Sequence, residues 1–183
     1  MKYMVASDIH GSFYYCNKML EAYEREEANR LILLGDILYH GPRNDLPKEY
    51  NPKKVIECLN AKSKELLCVR GNCEAEVDQM VLEFPIMAEY AMLVWDNLTL
   101  FATHGHIHNK GNMPPLKCGD ILLHGHTHVQ AMEAIGDCWY LNPGSVSIPK
   151  EGNENSYMIY EDHTFCIKNL DGTKLQQIII TGK

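Results

Sequence analysis

The chain has 183 residues, 45% of them hydrophobic and 22% charged, which suits a single domain over residues 1–183 that can bury a core without disulfide staples. A net charge of −7 argues against stable nucleic-acid binding, which needs a cationic surface, although bound divalent cations would reverse the sign locally. Seven cysteines (Cys16, Cys58, Cys68, Cys73, Cys118, Cys138 and Cys166) form no Cys-x-x-Cys pair, the opening MKYMVASDIH lacks a signal peptide's apolar stretch, and no run approaches a membrane span; a reduced, cytoplasmic protein without membrane contact is expected.

The first strand-like run, KYMVAS at 2–7, leads into SDIHG and so to Asp8 and His10. A helix is expected over 17–28, with Met19, Leu20 and Tyr23 on one face. RLILLG at 30–35 is the second strand and ends at Asp36. The following YHGPRNDLP reads equally as an exposed turn on Gly41, Pro42 and Pro47, or as a substrate-side loop. In the second reading Arg43 pairs with a phosphate oxygen as a planar donor and Asn44 assists. A second helix starts near Pro52, where proline suits a first turn, and buries Val55, Ile56 and Leu59.

ELLCVRG at 65–71 delivers Asn72 and Cys73, and a third helix is expected over 74–84. LTLFATHG at 98–105 ends in His104 and His106, and DILLHG at 120–125 runs into HGHTH, with His124, His126 and His128. The remaining strands are CWYLNPG at 138–144, SYMIYED at 156–162, TFCIKNL at 164–170 and LQQIIIT at 175–181. NPGS at 142–145 is either a plain turn or a source of backbone amides near a site. Early strands alternate with helices, whereas the last three follow one another closely. The pattern predicts an α/β domain that begins as βαβ units and ends in antiparallel strands, with two sheets face to face and helices covering them.

The chemistry follows the strands. Five successive strand ends deliver Asp, His and Asn, and ligand sites of α/β sheets lie beyond the carboxyl ends of strands. Alone, Asp-x-His or Gly-Asp is ordinary turn chemistry; as an ordered set the seven candidates Asp8, His10, Asp36, Asn72, His104, His126 and His128 point to one metal site. Imidazole and carboxylate ligands suit divalent Mn, Fe, Zn or Co, and seven ligands exceed the needs of one ion. Two-metal hydrolytic sites hold their ions about 3.5–4 Å apart and share a carboxylate. Gly11, Gly35, Gly71, Gly105 and Gly125 beside them allow tight turns and close backbone approach.

DIHG, GD, GN, THGH and GHTH, in this order, resemble the calcineurin-like metallophosphoesterases. The stretches LGDILYHGPRNDLP, RGNCEAEVDQM and YLNPGSVSIPK resemble the YfcE-type bacterial phosphodiesterases within that family. The resemblance implies an α/β/β/α four-layer sandwich, two packed mixed β-sheets flanked by helices, with a dinuclear site at one edge. It implies that Asp8, His10 and His128 hold one divalent ion, that Asn72, His104 and His126 hold the second, and that Asp36 bridges them. Manganese is the metal it favours, with iron, zinc, cobalt or nickel as alternatives.

The implied reaction is hydrolysis of a small phosphodiester by a hydroxide shared between the ions, with Asp36, Asn72, His104 and His106 in the catalytic group. Many relatives carry histidine after the Gly-Asn, as proton donor to the leaving group; here Cys73 stands there, a poorer match for that transfer. Aryl-like leaving groups, or help from His106, would compensate, though His106 also reads as a supporting loop histidine. His124 reads as a structural or supporting residue rather than a ligand. The rival readings are a phosphomonoesterase and a protein-binding scaffold resembling the Vps-type subunit of retromer, whose metal site is weakened. Exposed apolar residues on the late strands allow a homo-oligomer.

Overall fold

A computed structural model describes residues 1–182. β1 (Tyr3–Ala6), α1 (Phe13–Arg25), β2 (Arg30–Leu33), α2 (Pro52–Asn60), β3 (Leu66–Cys68) and α3 (Glu76–Gln79) come first. β4 (Tyr90–Trp95), β5 (Leu98–Thr103), β6 (Ile121–Leu123), β7 (Gln130–Ile135) and β8 (Cys138–Pro143) follow. β9 (Ser156–Glu161), β10 (Thr164–Asn169) and β11 (Lys174–Ile179) close the fold.

One sheet has the order β11-β10-β9-β1-β2-β3 and the other β4-β5-β6-β8-β7, both mixed, as expected. In the first sheet β1, β2 and β3 are parallel and the β9–β11 meander is antiparallel. In the second sheet β5, β6 and β8 are parallel, while β4 and β7 are antiparallel edges.

The pleat sends alternate residues to opposite cores. Met4 pairs with Leu31 and both join the core under the helices, with Ala6 and Leu33. Val5 pairs with Ile32 and both face the other sheet; with Met158 of β9 beside them, they meet its Leu100, Ile121, Leu123 and Leu141 in the inter-sheet core. Strands buried on both faces need apolar residues at every position, which is why RLIL and YMVA show no alternation. Helices α1 and α2 cover the outer face of the first sheet through Cys16, Met19, Val55 and Leu59. On the outer face of the second sheet, Phe101, Leu122 and Tyr140 are covered by Met113 and Leu116 of irregular chain, where a helical layer was expected.

Helix α1 starts at Phe13, four residues before the expected start at 17. Ser12 caps it, its Oγ accepting from the Tyr15 amide at 3.3 Å. Helix α3 is one turn rather than the expected 74–84. The Gln79 side-chain amide donates to the carbonyls of Leu82 and Phe84, folding the chain inward so that Leu82, Phe84 and Ile86 join the core. Strands β4 and β7 are absent from the sequence expectation. Among the described residues no helix is long and apolar enough to cross a membrane.

Candidate metal centre

The loops that follow β1, β2, β3, β5 and β6 meet at one edge of the sandwich. The first two are zipped together: the His10 amide donates to the Asp36 carbonyl at 2.9 Å and the Gly11 amide to that of Ile37 at 2.7 Å. The Gly125 amide donates to the His104 carbonyl at 2.9 Å, and the His126 amide to Asp8 Oδ2 at 3.1 Å. Asp8, His10, Asp36, His126 and His128 have φ between 50° and 65°, the left-handed region that Asp and His tolerate better than other side chains. Left-handed backbone at five of the seven candidates turns each side chain back across the strand ends, and such strain concentrates at functional sites.

The side chains then converge in two sets. In one, His128 Nε2 lies 3.2 Å and His10 Nε2 3.6 Å from Asp8 Oδ1, with 3.3 Å between the imidazole nitrogens. In the other, His104 Nε2 lies 3.1 Å from Asn72 Oδ1 and 3.1 Å from His126 Nδ1. Asp36 Oδ2 touches both sets, 3.6 Å from His10 Nε2 and 3.4 Å from His104 Nε2. Asp8, His10, Asp36, His104 and His128 are all buried.

The outer nitrogens are fixed in turn. His10 Nδ1 donates to the Tyr39 carbonyl at 2.8 Å, His104 Nδ1 to Leu34 at 2.7 Å and His128 Nδ1 to Ile148 at 2.5 Å. Each inward Nε2 is therefore left to face the carboxylates, the arrangement of metal-ligating histidines held by backbone carbonyls. Asp8 Oδ1, aimed into the cluster, is buried and has no hydrogen-bond partner.

The charges agree. Burial alone would raise Asp8, but the adjoining imidazoles of His10 and His128 hold its carboxyl well below the ordinary range. Burial opposes ionisation of Asp36 too, and the His104 bond and charge outweigh it and lower its pKa. Burial lowers and Asp36 raises His104, whose pKa ends at about 9; His10 is raised by Asp8 against its burial. Two buried carboxylates thus call for positive charge, which a divalent cation would supply. The donor set and the unpartnered carboxylate oxygen fit such an ion.

Glu74 holds the frame, a role the sequence did not disclose. Its buried carboxylate accepts from the amides of Asp36 at 2.9 Å, Ile37 at 2.7 Å and Gly71 at 2.5 Å, tying the loops after β2 and β3 together. Burial, and next the Asp36 charge, raise its pKa. Gly71 is required here, because a Cβ would overlap Asp36 Oδ1 and the Asp36 amide. The NPGS segment is also a support. Ser145 Oγ and Ser147 Oγ donate to the Asp8 carbonyl at 3.0 and 2.9 Å, and Asn142 Nδ2 donates to the Gly125 carbonyl at 2.9 Å. Of the two readings of NPGS, the one near a site holds, but Asn142 and Ser145 act through their side chains, and Ser147 lies just beyond the motif.

A cleft of about 330 Å³ opens over the cluster, lined by His10, Asp36, Asn72, Cys73, His126 and His128, with Gly41, Pro42, Arg43, Asn44 and Lys150 around it. Arg43 and Asn44 are therefore brought to the site; Lys150 is an addition, invisible in sequence because it lies far along the chain. Cys73 donates through Sγ to Asp36 Oδ2 at 3.3 Å and through its amide to Oδ1 at 2.9 Å, and burial, then the Asp36 charge, push its thiol up. His106 lies tilted beside His104 and His126, with ring centroids 5.5 and 6.3 Å away and planes 57° apart in both pairs, and is not among the residues lining the cleft. His124 is buried outside the cleft, its pKa lowered to about 4, mainly by burial.

Residues 1–164 match the family model of the calcineurin-like phosphoesterase superfamily domain. The chain is 45% identical over 181 residues to phosphodiesterase YfcE of Escherichia coli K12, covering 98% of both chains. It is 27% identical over 152 residues to phosphodiesterase MJ0936 of Methanocaldococcus jannaschii, 79% of this chain and 83% of that one. A solved structure of the E. coli YfcE phosphoesterase superposes with a TM-score of 0.96 at 44% identity, covering 99% of this chain and 100% of that one. Vacuolar protein sorting 29 of Cryptosporidium parvum, at 16% identity over 97% of both chains and a TM-score of 0.61, shares the fold alone. The fold, the strand-end cluster and the near full-length similarity agree: the chain belongs to the calcineurin-like phosphoesterase superfamily.

Proposed function

We propose that the protein is a divalent-metal-dependent phosphodiesterase acting on a small phosphodiester, like its 45%-identical relative, phosphodiesterase YfcE. The observation that carries this is the meeting of two ligand sets on Asp36. Asp8, His10 and His128 would hold one ion, Asn72, His104 and His126 the other, and Asp36 would bridge them. Bound there, the ions would acidify a water and neutralise charge on the phosphoryl oxygens. Manganese is our first choice of metal, and a reduced cytoplasm our expected location.

The chain's own residues do the rest. Arg43, with Asn44 and Lys150 beside it, would bind the free phosphoryl oxygens at the mouth of the cleft and orient the ester. Asn72 supplies a carbonyl oxygen without adding negative charge, which leaves the site attractive to an anionic phosphate. Cys73, held protonated by burial and Asp36, bonds to Asp36 rather than to a departing alkoxide. Good leaving groups such as phenolates need no proton from it, so the site favours aryl esters. His106 supports His104 and His126 from the side. All seven ligand positions carry competent side chains, which supports an enzyme over a scaffold. Self-association through Ile179 on β11 or Tyr90, Met92 and Val94 on β4 is a further expectation, since these side chains are exposed.

Hydrolysis of bis-p-nitrophenyl phosphate and p-nitrophenyl phosphate, after metal stripping and Mn²⁺ restoration, tests the reading. Mn²⁺-dependent cleavage favouring the diester, abolished in Asp36→Asn, is expected. Preference for the monoester would select the phosphomonoesterase, and no turnover with any divalent ion would select the scaffold.

A further inference from the structure

Cys73 stands where the cleft meets the ligand cluster, and its sulfur is the one soft donor among the described residues that line the cleft. Its Sγ lies 3.3 Å from Asp36 Oδ2, and that oxygen lies 3.6 Å from His10 Nε2. His10, Asp36 and Cys73 each offer a ligand atom, and the three atoms all lie within 4.8 Å of one another. His10 Nδ1 donates to the Tyr39 carbonyl, so the Nε2 lone pair is left to face an ion.

The spacing can be tried against a known geometry. Zinc bonds to thiolate, imidazole and carboxylate are about 2.3, 2.0–2.1 and 2.0–2.2 Å, so tetrahedral sulfur–oxygen and nitrogen–oxygen edges are about 3.4–3.6 Å. The two edges found here, 3.3 and 3.6 Å, match them. Three protein ligands leave the fourth position to water or a phosphoryl oxygen from the cleft.

We infer that Cys73 is a conditional metal ligand: a thiophilic divalent ion such as Zn²⁺ is held by His10, Asp36 and the Cys73 thiolate, whereas Mn²⁺ is held without the sulfur. The inference deepens the metal-centre reading above and rests on it, independently of turnover. Thiolate sulfur suits the softer ions, and carboxylate, carbonyl and water suit manganese. Burial and the Asp36 charge oppose the free thiolate, but a dication bonded to the sulfur outweighs both. When such an ion binds, the Cys73 S–H bond breaks, the proton leaves to solvent and the sulfur's electron pair forms the bond to the metal; nothing is oxidised. Cys73 thereby sorts metals at a centre whose other donors accept several.

Two measurements on the metal-stripped protein test it. In the first, Co²⁺ takes the place of zinc and reports its ligands by absorption. A sulfur-to-cobalt charge-transfer band in the near ultraviolet is expected in the wild type and not in Cys73→Ser. In the second, Zn²⁺ and Mn²⁺ affinities are measured by competition with a chelator. Cys73→Ser should weaken Zn²⁺ binding at least about ten-fold, release about one proton fewer per ion, and leave Mn²⁺ affinity within about two-fold. Retained Mn²⁺ binding also shows that the variant is folded. No charge-transfer band in the Co²⁺-loaded wild type, or equal Zn²⁺ affinity in the two proteins, would overturn the thiolate ligand while Mn²⁺ binding stands. An equal loss of Zn²⁺ and Mn²⁺ affinity in Cys73→Ser would overturn the selectivity. Failure of the wild type to bind any of the three ions would overturn the metal-centre reading, and this inference with it.

Discussion

Glu74→Gln removes the charge from the carboxylate that ties two ligand loops together while keeping its shape. Glu74 Oε2 accepts from the Asp36 and Gly71 amides and Oε1 from that of Ile37. In glutamine one oxygen can serve two of these donors, but the NH₂ group then faces the third. One buried amide left unpaired costs about 1–3 kcal/mol, and two bonds weakened from charged to neutral cost about 1 kcal/mol each. Relief of repulsion with Asp36 and of carboxylate desolvation offsets about 1–2 kcal/mol. The net expectation is a loss of about 2 kcal/mol, or a melting temperature lower by about 4–8 °C for a domain of this length. Urea unfolding of the metal-free protein is the assay, with an unchanged slope and a lower midpoint expected. An unchanged or raised midpoint would refute the reasoning, because the three amides would then gain nothing from the charge.

Gly71→Ala places a Cβ against the Asp36 carboxylate and amide, and displacement of the proposed bridging carboxylate by about 1 Å should cost on the order of 100-fold in kcat, read with bis-p-nitrophenyl phosphate at saturating Mn²⁺. Cys73→His places an imidazole at the position where the family resemblance implies a leaving-group acid; it should raise kcat/KM about 10-fold or more for diesters with alkyl leaving groups and change p-nitrophenyl release far less. Glu26 gives the acid limb of stability: burial would raise its carboxyl, but hydrogen bonds from Lys168 and Tyr157 hold it below its ordinary 4.5. Its contribution is therefore present above pH 4.5 and lost as pH falls through the lower folded value, so Glu26→Gln should flatten the fall in urea midpoint below pH 4.5.

The convergence of the candidate residues was legible because its signal is local: each of Asp8, His10, Asp36, Asn72, His104, His126 and His128 sits within a few residues of a strand end. The supports were not. Glu74 stood in plain view beside Asn72, yet its partners are backbone amides at 36, 37 and 71, and nothing in residue spacing reports an amide's direction. Lys150 reaches the cleft only through the path of the chain after β8. Strands β4 and β7 escaped notice because both are sheet edges. Tyr90, Met92 and Val94 point outward from β4, and the QAMEAI of β7 mixes polar and apolar residues on half-exposed backbone. The third helix was over-read because its periodic apolar residues, Leu82 and Phe84, enter the core from a turn that Gln79 closes.

The most direct test of the shared carboxylate is equilibrium binding of Mn²⁺ to the metal-stripped protein, counted per chain in the wild type and in Asp36→Asn. A site built on two ligand sets meeting at Asp36 predicts two ions per wild-type chain and loss of at least one when the bridge is changed. One ion per chain in the wild type, or two retained with undiminished affinity in Asp36→Asn, would contradict it.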